Sequence, residues 1–512
     1  MGLLLGDILR RNAATVPHKT AYVLRSGGDR IAVSYAEFDR RANQLANAFA
    51  RMEIGRGERV GILMRNNAHY PVVYFALLKL GAVAIPLNFR YRAAELRELL
   101  DHALPKLLVV EDETEQLARE SISGAVMHLV TTGAGAADMA SIEALMEGAS
   151  PDEPHAELHE TDPFALLYTS GTTGASKGVV QTHRAYHLQT GQPVFSSRGT
   201  GEDDVGLCMF QLFHSSGWRT SLIYWRARAT VVITRDADPR QLLQAIEQER
   251  VTQFMGLPET LRKVCDLAER ERFDLSSFQH LNTGTSTISP EDARRFASCF
   301  GVRGVRVHYG SSESGPVSTL SAEESLSRPT SIGRPAAQVD VKLVDESGEA
   351  VAVGEVGELC VRSEFLMDGY NGDPEQTARV LQDGWYHSGD LARADAEGYL
   401  GIVGRVGERI RSGGESIYPA EVERVIAGLA GVAECAVLGV PDPEWGEVVL
   451  AVIVPAADGA PEPDAVVAHC REVLAAYKCP RHVRLVRSLP KTAATDKVRK
   501  IRLKQSFLAG EL

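Results

Sequence analysis

A glycine- and hydroxyl-rich segment with one lysine is the part of the sequence best suited to chemistry. It reads LLYTSGTTGASKGVV from Leu166 to Val180, so it follows apolar residues. Glycine lets backbone N–H groups approach an anion, hydroxyls donate hydrogen bonds, and the lysine ammonium supplies positive charge. The residues with these properties are Thr169, Ser170, Gly171, Thr172, Thr173, Gly174, Ser176, Lys177 and Gly178. The segment is therefore expected to bind a polyphosphate.

This segment is not a Walker-type P-loop, whose pattern is G-x-x-x-x-G-K-[ST]. Counting from Gly171, Ser176 stands where the second glycine belongs, and Gly178 replaces the hydroxyl that binds magnesium. A plain surface loop is the simpler alternative, but solvated loops rarely combine so many donors with a lysine.

A second chemical cluster ends the run Val307-His308-Tyr309-Gly310-Ser311-Ser312-Glu313. It offers an aromatic face for a nucleobase, a hydroxyl for phosphate and a carboxylate oxygen of the kind that Mg²⁺ prefers. Two more clusters are Trp385-Tyr386-His387-Ser388-Gly389-Asp390 and Phe213-His214-Ser215-Ser216-Gly217-Trp218. Neither Gly284-Thr-Ser-Thr-Ile nor Gly310-Ser-Ser-Glu-Ser-Gly315 fits the G-x-S-x-G pattern of a serine hydrolase.

Taken together, these segments resemble the adenylate-forming enzymes, which include acyl-CoA ligases, luciferases and peptide-synthetase adenylation domains. The resemblance covers about residues 10–505, with the motifs in the family's order. It implies an acyl-CoA ligase that converts a carboxylic acid and ATP to acyl-AMP and pyrophosphate, after which CoA displaces AMP. The implied cofactors are ATP/AMP, Mg²⁺ and coenzyme A.

The resemblance assigns roles to individual residues of the nucleotide site. Tyr309 is expected to stack on adenine, Glu313 to ligate Mg²⁺ and act in catalysis, and Asp390 and Arg405 to hold the ribose. Ser312 stands where the family usually has threonine, and the hydroxyl is kept. The other nucleotide ligands are Thr169, Ser170, Gly171, Thr173, Gly174, Lys177, Gly284, Thr285 and Gly310, with Thr172 as a catalytic hydroxyl.

The same resemblance places the acyl and CoA sites. His214, a candidate catalytic residue, matches a histidine at the entrance to the acyl pocket, and a hydrogen-bonded core imidazole is the less favoured alternative. Phe213, Trp218 and Ser286 are expected to line that pocket, which implies a hydrophobic acid that is fatty, aryl or polycyclic. Ser412, Gly413 and Gly414 lie in a glycine loop that is expected to contact the pantetheine arm of CoA.

One motif departs from the family pattern. Relatives place a catalytic lysine after Pro-x-Thr-x-x-Gly, but Pro490 to Lys497 contains one residue more, and Asp496 replaces the glycine. An extra residue could move the ammonium by about 3 Å, the rise of an extended chain. A full ligase therefore competes with an enzyme of impaired adenylation that uses a preformed acyl-adenylate. A non-catalytic nucleotide-binding protein is the alternative from another class.

Composition limits the remaining choices. The net charge of −12 argues against nonspecific binding of nucleic acid, which requires a basic surface. Seven scattered cysteines without a C-x-x-C pair indicate reduced thiols and a cytoplasmic location. No signal-peptide core or membrane span is expected, because the apolar run from Val72 to Leu87 contains Lys79 and Pro86. Homodimers are common among similar proteins, so a homodimer is the implied assembly.

The elements that must position these residues alternate between strands and helices. The strands Arg59–Met64, Ala82–Pro86, Leu107–Val110 and Thr230–Thr234 and the helices Pro71–Leu80, Ala93–His102 and Pro239–Glu249 predict helix-covered parallel or mixed sheets. Short strands after Ser331 predict a β-rich subdomain, and a compact α/β run with helices at Pro419–Ala427 and Asp464–Tyr477 follows. We therefore expect an α/β fold with an N-terminal domain over residues 1–404 and a small, mobile C-terminal α/β domain over residues 405–512.

Overall fold

The protein is represented by a computed structural model. It describes residues 3–122, 124, 126–136, 138–170, 176–192, 199–284, 288–328, 330–412, 415–457, 459–491 and 498–512. The side chains of Ser170 and Ser176 are also outside the description.

The chain divides into two compact units. The first, unit 1, comprises residues 1–340 and 361–386, and the second, unit 2, comprises residues 341–360 and 387–512. The predicted domain boundary between residues 404 and 405 lies within unit 2. That boundary refers to a mobile C-terminal domain, not to a compact unit, and it stays a prediction.

Unit 1 contains two large sheets among the described residues. The first has, in spatial order, the strands Arg334–Pro335, Gly315–Leu320, Val305–Ser311, His280–Gly284, Gln253–Met255, Val205–Cys208, Thr230–Thr234, Thr20–Ser26 and Asp29–Ser34. The second has Gly369–Tyr370, Ser176–Thr182, Pro163–Ser170, Val83–Pro86, Arg59–Leu63, Leu107–Val110, His128–Thr131 and Ala140–Ser141. In both sheets the inner strands run parallel, whereas antiparallel strands lie at an edge.

Helices cover these sheets, as the alternating pattern predicted. They are Gly6–Thr15, Tyr35–Arg51, His69–Leu80, Ala93–Ala103, Asp112–Ser121, Ile142–Met146, His183–Thr190, Ser215–Arg226, Pro239–Gln248, Pro258–Ala268, Pro290–Phe300, Ala322–Ser325 and Pro374–Val380. Helix His69–Leu80 is buried on every face, since every residue from Tyr70 to Leu80 is buried, including Lys79, whose ammonium lies 2.9 Å from Asp39 Oδ1. It ends at Gly81, whose left-handed φ of 69° is readily adopted by glycine.

Most of the two remaining sheets belongs to unit 2. One has the strands Asp340–Val344, Val356–Arg362, Trp385–Ala394 and Leu400–Arg405, of which residues 340, 361, 362, 385 and 386 are assigned to unit 1. The short strand Leu381–Gln382, also of unit 1, pairs with Trp385 and Tyr386. The other has Glu415–Ile417, Ile410–Ser412, Gly446–Pro455, Val432–Asp442 and His482–Leu485. Its helices are Pro419–Ala427, Pro463–Val473 and Lys500–Leu508, with single turns at Val406–Glu408 and Ala476–Lys478.

The structure confirms the predicted α/β class with mixed sheets and a smaller C-terminal domain. The helix predicted over Asp464–Tyr477 is wrong at its end, because it stops at Val473 and a separate turn brings Lys478 to within 2.7 Å of Glu421. Within the described ranges, no helix has the length and apolar character needed to cross a membrane.

Candidate active site

The predicted phosphate loop connects two strands of one hairpin. Pro163–Ser170 and Ser176–Thr182 run antiparallel, with Thr169 opposite Lys177. A Walker-type loop opens a helix instead, so the hairpin accounts for the mismatch already visible in the sequence. The predicted ligands Gly171, Thr172, Thr173 and Gly174 lie outside the described residues, as does the side chain of Ser170.

Lys177 and Glu313 approach the same tyrosine ring. The Lys177 ammonium lies 5.2 Å from the centroid of the Tyr370 ring, and the Tyr370 hydroxyl donates to Glu313 Oε1 at 3.3 Å. Tyr370 itself is only 8% exposed. The structure therefore brings together two residues that the sequence assigns to phosphate and metal, although they are far apart in the chain. Sequence reasoning missed Tyr370.

The turn that carries Glu313 is held by hydrogen bonds from several elements. Ser311 Oγ accepts from the backbone N–H of Glu313 at 3.1 Å, and Gln181 Nε2 donates to the Ser312 carbonyl at 2.6 Å. Ser312 Oγ donates to Ser215 Oγ at 3.2 Å, which ties the turn to the start of helix Ser215–Arg226. These bonds fix the directions of the side chains at 312 and 313.

The Glu313 carboxylate fits a magnesium ion. Its described side-chain contact is the Tyr370 hydroxyl, and no lysine, arginine or histidine in the described part of the chain forms an ion pair with it. Mg²⁺ takes oxygen ligands and is usually held by one or two carboxylates together with substrate phosphates. A partly buried carboxylate near the end of a phosphate hairpin has this character.

Tyr309 and Gly284 lie at the ends of neighbouring parallel strands. Gly284 pairs with His308, and a Cβ added to Gly284 would lie 2.7 Å from the His308 carbonyl oxygen. Glycine is therefore required by close backbone packing at this point. Tyr309 is half-buried near the end of its strand. The neighbouring predicted residues Thr285 and Ser286 lie outside the described residues.

His214 begins the helix Ser215–Arg226 as its N-terminal cap. Its Nδ1 accepts a hydrogen bond from the backbone N–H of Ser216 at 3.2 Å. An accepting nitrogen carries no proton, so in the neutral ring Nε2 carries the N–H. This geometry places His214 at the start of the helix, and its role at the acyl pocket stays a prediction.

The two aromatic residues beside His214 differ in their surroundings. Phe213 is buried and meets the edge of Phe89, with the ring centroids 5.7 Å apart. Trp218 is 1% exposed and stacks on Tyr74, with the ring centroids 3.7 Å apart. Trp218 is thus part of the aromatic core of unit 1, and its place in an acyl pocket stays a prediction.

In unit 2, the two predicted ribose ligands pair with each other. Asp390 and Arg405 are direct neighbours on antiparallel strands, and Arg405 Nε lies 2.8 Å from Asp390 Oδ1. The preceding Gly389 has a left-handed φ of 71°, and its N–H donates to Glu358 Oε1 at 3.0 Å. Glu358, which the sequence did not single out, also contacts His387 Nδ1 at 3.0 Å. It therefore fixes the turn that presents Asp390.

Two further predicted segments of unit 2 are described only at their ends. Ser412 is buried at the end of strand Ile410–Ser412, whereas Gly413 and Gly414 lie outside the described residues. Lys497 also lies outside, but both ends of its loop are described. Lys491 and Val498 form an antiparallel bridge, and the Arg499 N–H donates to the Pro490 carbonyl at 2.7 Å. The loop from 492 to 497 is therefore closed at its base.

Because His308, next to Tyr309, is buried, we expect the stability of the folded protein to fall in acid. His308 contacts Asn282 Oδ1 at 3.1 Å, and burial lowers its pKa to about 3. The unfolded chain binds this proton below about pH 6.5 whereas the folded protein does not, so stability falls as the pH drops below 6.5. Between pH 7.5 and 5.5 we expect this residue alone to cost about 1.4 kcal/mol of unfolding free energy.

Urea unfolding at both pH values, followed by tryptophan fluorescence, measures this effect. His308→Gln keeps a donor for Asn282 but has no group that binds a proton in this pH range. Between pH 7.5 and 5.5 the variant should therefore lose about 1.4 kcal/mol less unfolding free energy than the wild type. His155→Gln, at an exposed histidine, is the control and should behave like the wild type. Equal losses in wild type and His308→Gln would contradict the prediction.

Comparison with known proteins adds independent evidence. Residues 9–371 match the AMP-binding enzyme family, and residues 421–495 match the AMP-binding enzyme C-terminal domain. A feruloyl-CoA synthase from Amycolatopsis sp is 37% identical over 507 residues, covering 98% of this chain and 99% of that protein.

Solved structures agree over the whole chain. The anthranilate CoA ligase AuaEII in complex with anthranoyl-AMP has a TM-score of 0.87 at 26% identity, covering 99% of this chain and 98% of that one. ATP-bound MatB from Rhodopseudomonas palustris has a TM-score of 0.89 at 26% identity, covering 99% of both chains.

Proposed function

Since the chain belongs to the adenylate-forming acyl-CoA ligases of the AMP-binding enzyme family, we propose that it activates a hydrophobic, aromatic carboxylic acid. The enzyme is an ATP-dependent, AMP-forming acid–thiol ligase that proceeds through an acyl-adenylate. ATP/AMP, Mg²⁺ and CoA are its cofactors and co-substrates.

The contact of Lys177 and Glu313 with one buried tyrosine is the observation that carries the assignment of the nucleotide site. Lys177 would contact the phosphates of ATP, and Glu313 would hold Mg²⁺ against them. When bound, Mg²⁺ neutralises phosphate charge and makes pyrophosphate a better leaving group. Tyr309 would supply the ring on which adenine stacks, since it is half-buried at a strand end.

Asp390 and Arg405 would provide the ribose contacts. Their mutual ion pair orients the Asp390 carboxylate, which can accept hydrogen bonds from both ribose hydroxyls. The domain boundary is proposed between residues 404 and 405, directly before Arg405. The matches to the two family segments, which end at 371 and begin at 421, support a boundary in this interval.

Two lines of support favour an aromatic acid. Phe213 is buried against Phe89 directly before His214, and His214 starts the helix that is tied through Ser215 to the Glu313 turn. Two similar proteins are named for aryl acids, feruloyl-CoA synthase and the anthranilate CoA ligase. A cytoplasmic location is proposed from the free cysteines, and a homodimer from the resemblance alone.

The acid can be identified by measuring AMP release with CoA over a panel of acids. We expect ferulate, indoleacetate and anthranilate to give kcat/KM values at least tenfold above those of palmitate and succinate, because an aromatic pocket gains from ring contacts and cannot pair a second carboxylate. A preference for palmitate or succinate would contradict the aromatic assignment. No AMP release with any acid, and none from a preformed acyl-adenylate with CoA, would instead favour the non-catalytic alternative.

A further inference from the structure

Tyr370 contacts both charged residues of the proposed nucleotide site. We propose that Tyr370 is a positioning residue for metal-bound ATP: its hydroxyl orients Glu313 and its ring keeps Lys177 apart from Glu313. The proposal rests on the proposed function, because it takes ATP with its magnesium ion as the ligand. It assigns a role to a residue that no motif of the sequence marked.

The backbone of Tyr370 is fixed to the phosphate hairpin. The strand Gly369–Tyr370 pairs antiparallel with Ser176–Thr182, placing Tyr370 opposite Val179. The Tyr370 N–H donates to Thr377 Oγ1 at 2.9 Å. Gly369 has a φ of 146°, and a Cβ there would lie 2.8 Å from the Thr377 side chain. The ring therefore projects from a fixed backbone position. The residue opposite it on the paired strand is Val179, two residues after Lys177.

The same segment is bonded to the Glu313 turn. The Met367 N–H donates to the Glu313 carbonyl at 2.8 Å, three residues before the ring that reaches the Glu313 carboxylate. Both the backbone and the side chain of Glu313 are thus tied to residues 367–370. Since the hydroxyl binds Oε1, and Oε2 accepts no hydrogen bond from the described residues, Oε2 is left for the metal.

Lys177 is held by the face of the ring rather than by an acid. Its ammonium lies 5.2 Å from the Tyr370 centroid, a cation–π distance. Within the described residues it forms no ion pair with a carboxylate, so its charge remains available to phosphate. Thr169 lies opposite it on the other strand of the hairpin.

Removing the ring would have a physical consequence, because Tyr370 contacts the Lys177 ammonium with its ring and the Glu313 carboxylate with its hydroxyl. Without it, the ammonium and the carboxylate could form a direct ion pair, and both charges would then be partly neutralised. That pair would have to break before phosphate and metal could bind. With the ring in place, each charge keeps its attraction for its own part of the ligand.

Calorimetric titration of ATP into the full-length protein tests this, with Mg²⁺ and with EDTA and in the absence of any acid. Tyr370→Phe keeps the ring and removes the hydroxyl, whereas Tyr370→Leu removes both. Tyr35→Phe is the matched control, because it removes another buried hydroxyl, which donates to the Ala229 carbonyl at 2.7 Å. Circular dichroism melting checks that each variant is folded.

The expected results differ between the variants. Loss of a group that orients a metal ligand typically lowers metal affinity by 10- to 100-fold. Tyr370→Phe should therefore raise the Kd for MgATP by about tenfold and change the Kd for ATP in EDTA by less than about twofold. Tyr370→Leu should raise both values, since Lys177 is then free to pair with Glu313. Tyr35→Phe should change neither.

Each other outcome has a definite meaning. If the wild type binds no ATP, the proposed function fails, not this assignment alone. If the wild type binds MgATP and Tyr370→Phe binds it equally well, the positioning role is overturned. An equal loss with Mg²⁺ and with EDTA in Tyr370→Phe would also overturn it, because that pattern indicates a general structural defect. Should Tyr370→Leu fail to fold, Tyr370→Phe alone decides.

Discussion

Glu313→Gln is expected to lower AMP-forming turnover by about 10²- to 10³-fold, which corresponds to several kcal/mol of transition-state stabilisation. The substitution keeps the size of the side chain and an oxygen that can accept from the Tyr370 hydroxyl. It removes the negative charge that would hold Mg²⁺ against the phosphates. The loss should therefore appear in turnover and in the magnesium dependence, while the thermal midpoint stays close to that of the wild type.

Pyrophosphate exchange and AMP release, each measured over a range of magnesium concentrations, provide the test. Glu364→Gln is the control, since Glu364 is an exposed glutamate of unit 1 whose described ion-pair partner is Arg184. That variant should keep at least half of the wild-type turnover. Retention of more than a tenth of wild-type turnover in Glu313→Gln at low magnesium would contradict the role of Glu313 as the metal ligand.

The parts of the fold that the sequence predicted are those encoded by continuous local patterns. The strands Leu107–Val110 and Thr230–Thr234 and the helix Pro419–Ala427 lie where they were predicted, residue for residue. Each is a short apolar run or an amphipathic segment whose boundary is marked in the sequence. Pro419, for example, marks the first residue of its helix. Local sequence was sufficient because neighbouring residues determine these elements.

The parts of the site that the sequence could not predict depend on contacts between distant segments. Tyr370 reaches Glu313 only because Gly369–Tyr370 pairs with a strand almost 190 residues earlier. Glu358 supports Asp390 only because their strands lie in one sheet. Neither residue belongs to a recognisable chemical motif, and β-strand partners at such separations are not encoded by local periodicity.

The same reason explains two further features that local patterns do not show. Trp218 stacks on Tyr74 in the core of unit 1, and its place in an acyl pocket stays a prediction. Residues 341–360 follow the large N-terminal region in sequence, yet they group with unit 2 because their strand pairs with Trp385–Ala394. In both cases the deciding partner lies far away in the chain.

Lys497→Ala is expected to reduce pyrophosphate exchange by about 10³-fold, because an ammonium placed at the reacting phosphate stabilises charge that develops in the transition state. Transfer of a preformed acyl-adenylate to CoA should fall by less than about tenfold, since that step breaks the C–O bond at the acyl carbon and forms no bond to the α-phosphorus. Lys491→Ala is the matched control in the same segment. Lys491 is already ion-paired with Glu434 at 2.8 Å, so its loss should change both half-reactions by less than about threefold.

The additional residue before Lys497 bears on whether the Lys497 ammonium reaches the reacting phosphate. The bridge between Lys491 and Val498 and the bond from Arg499 to Pro490 close the base of the loop, so the insertion has to be accommodated between 492 and 497. After the loop, Lys500 is held 2.8 Å from Glu423 and 3.2 Å from Glu408, and these two ion pairs oppose a shift of the helix Lys500–Leu508. If the insertion displaces the ammonium, deleting Ala494 together with Asp496→Gly should raise exchange by about tenfold or more, since a misplacement on the ångström scale can cost about 10²-fold. If exchange is brisk in the wild type and unchanged by the repair, the enzyme is a full ligase whose longer loop already places Lys497 correctly, and the thioesterification-only alternative is excluded.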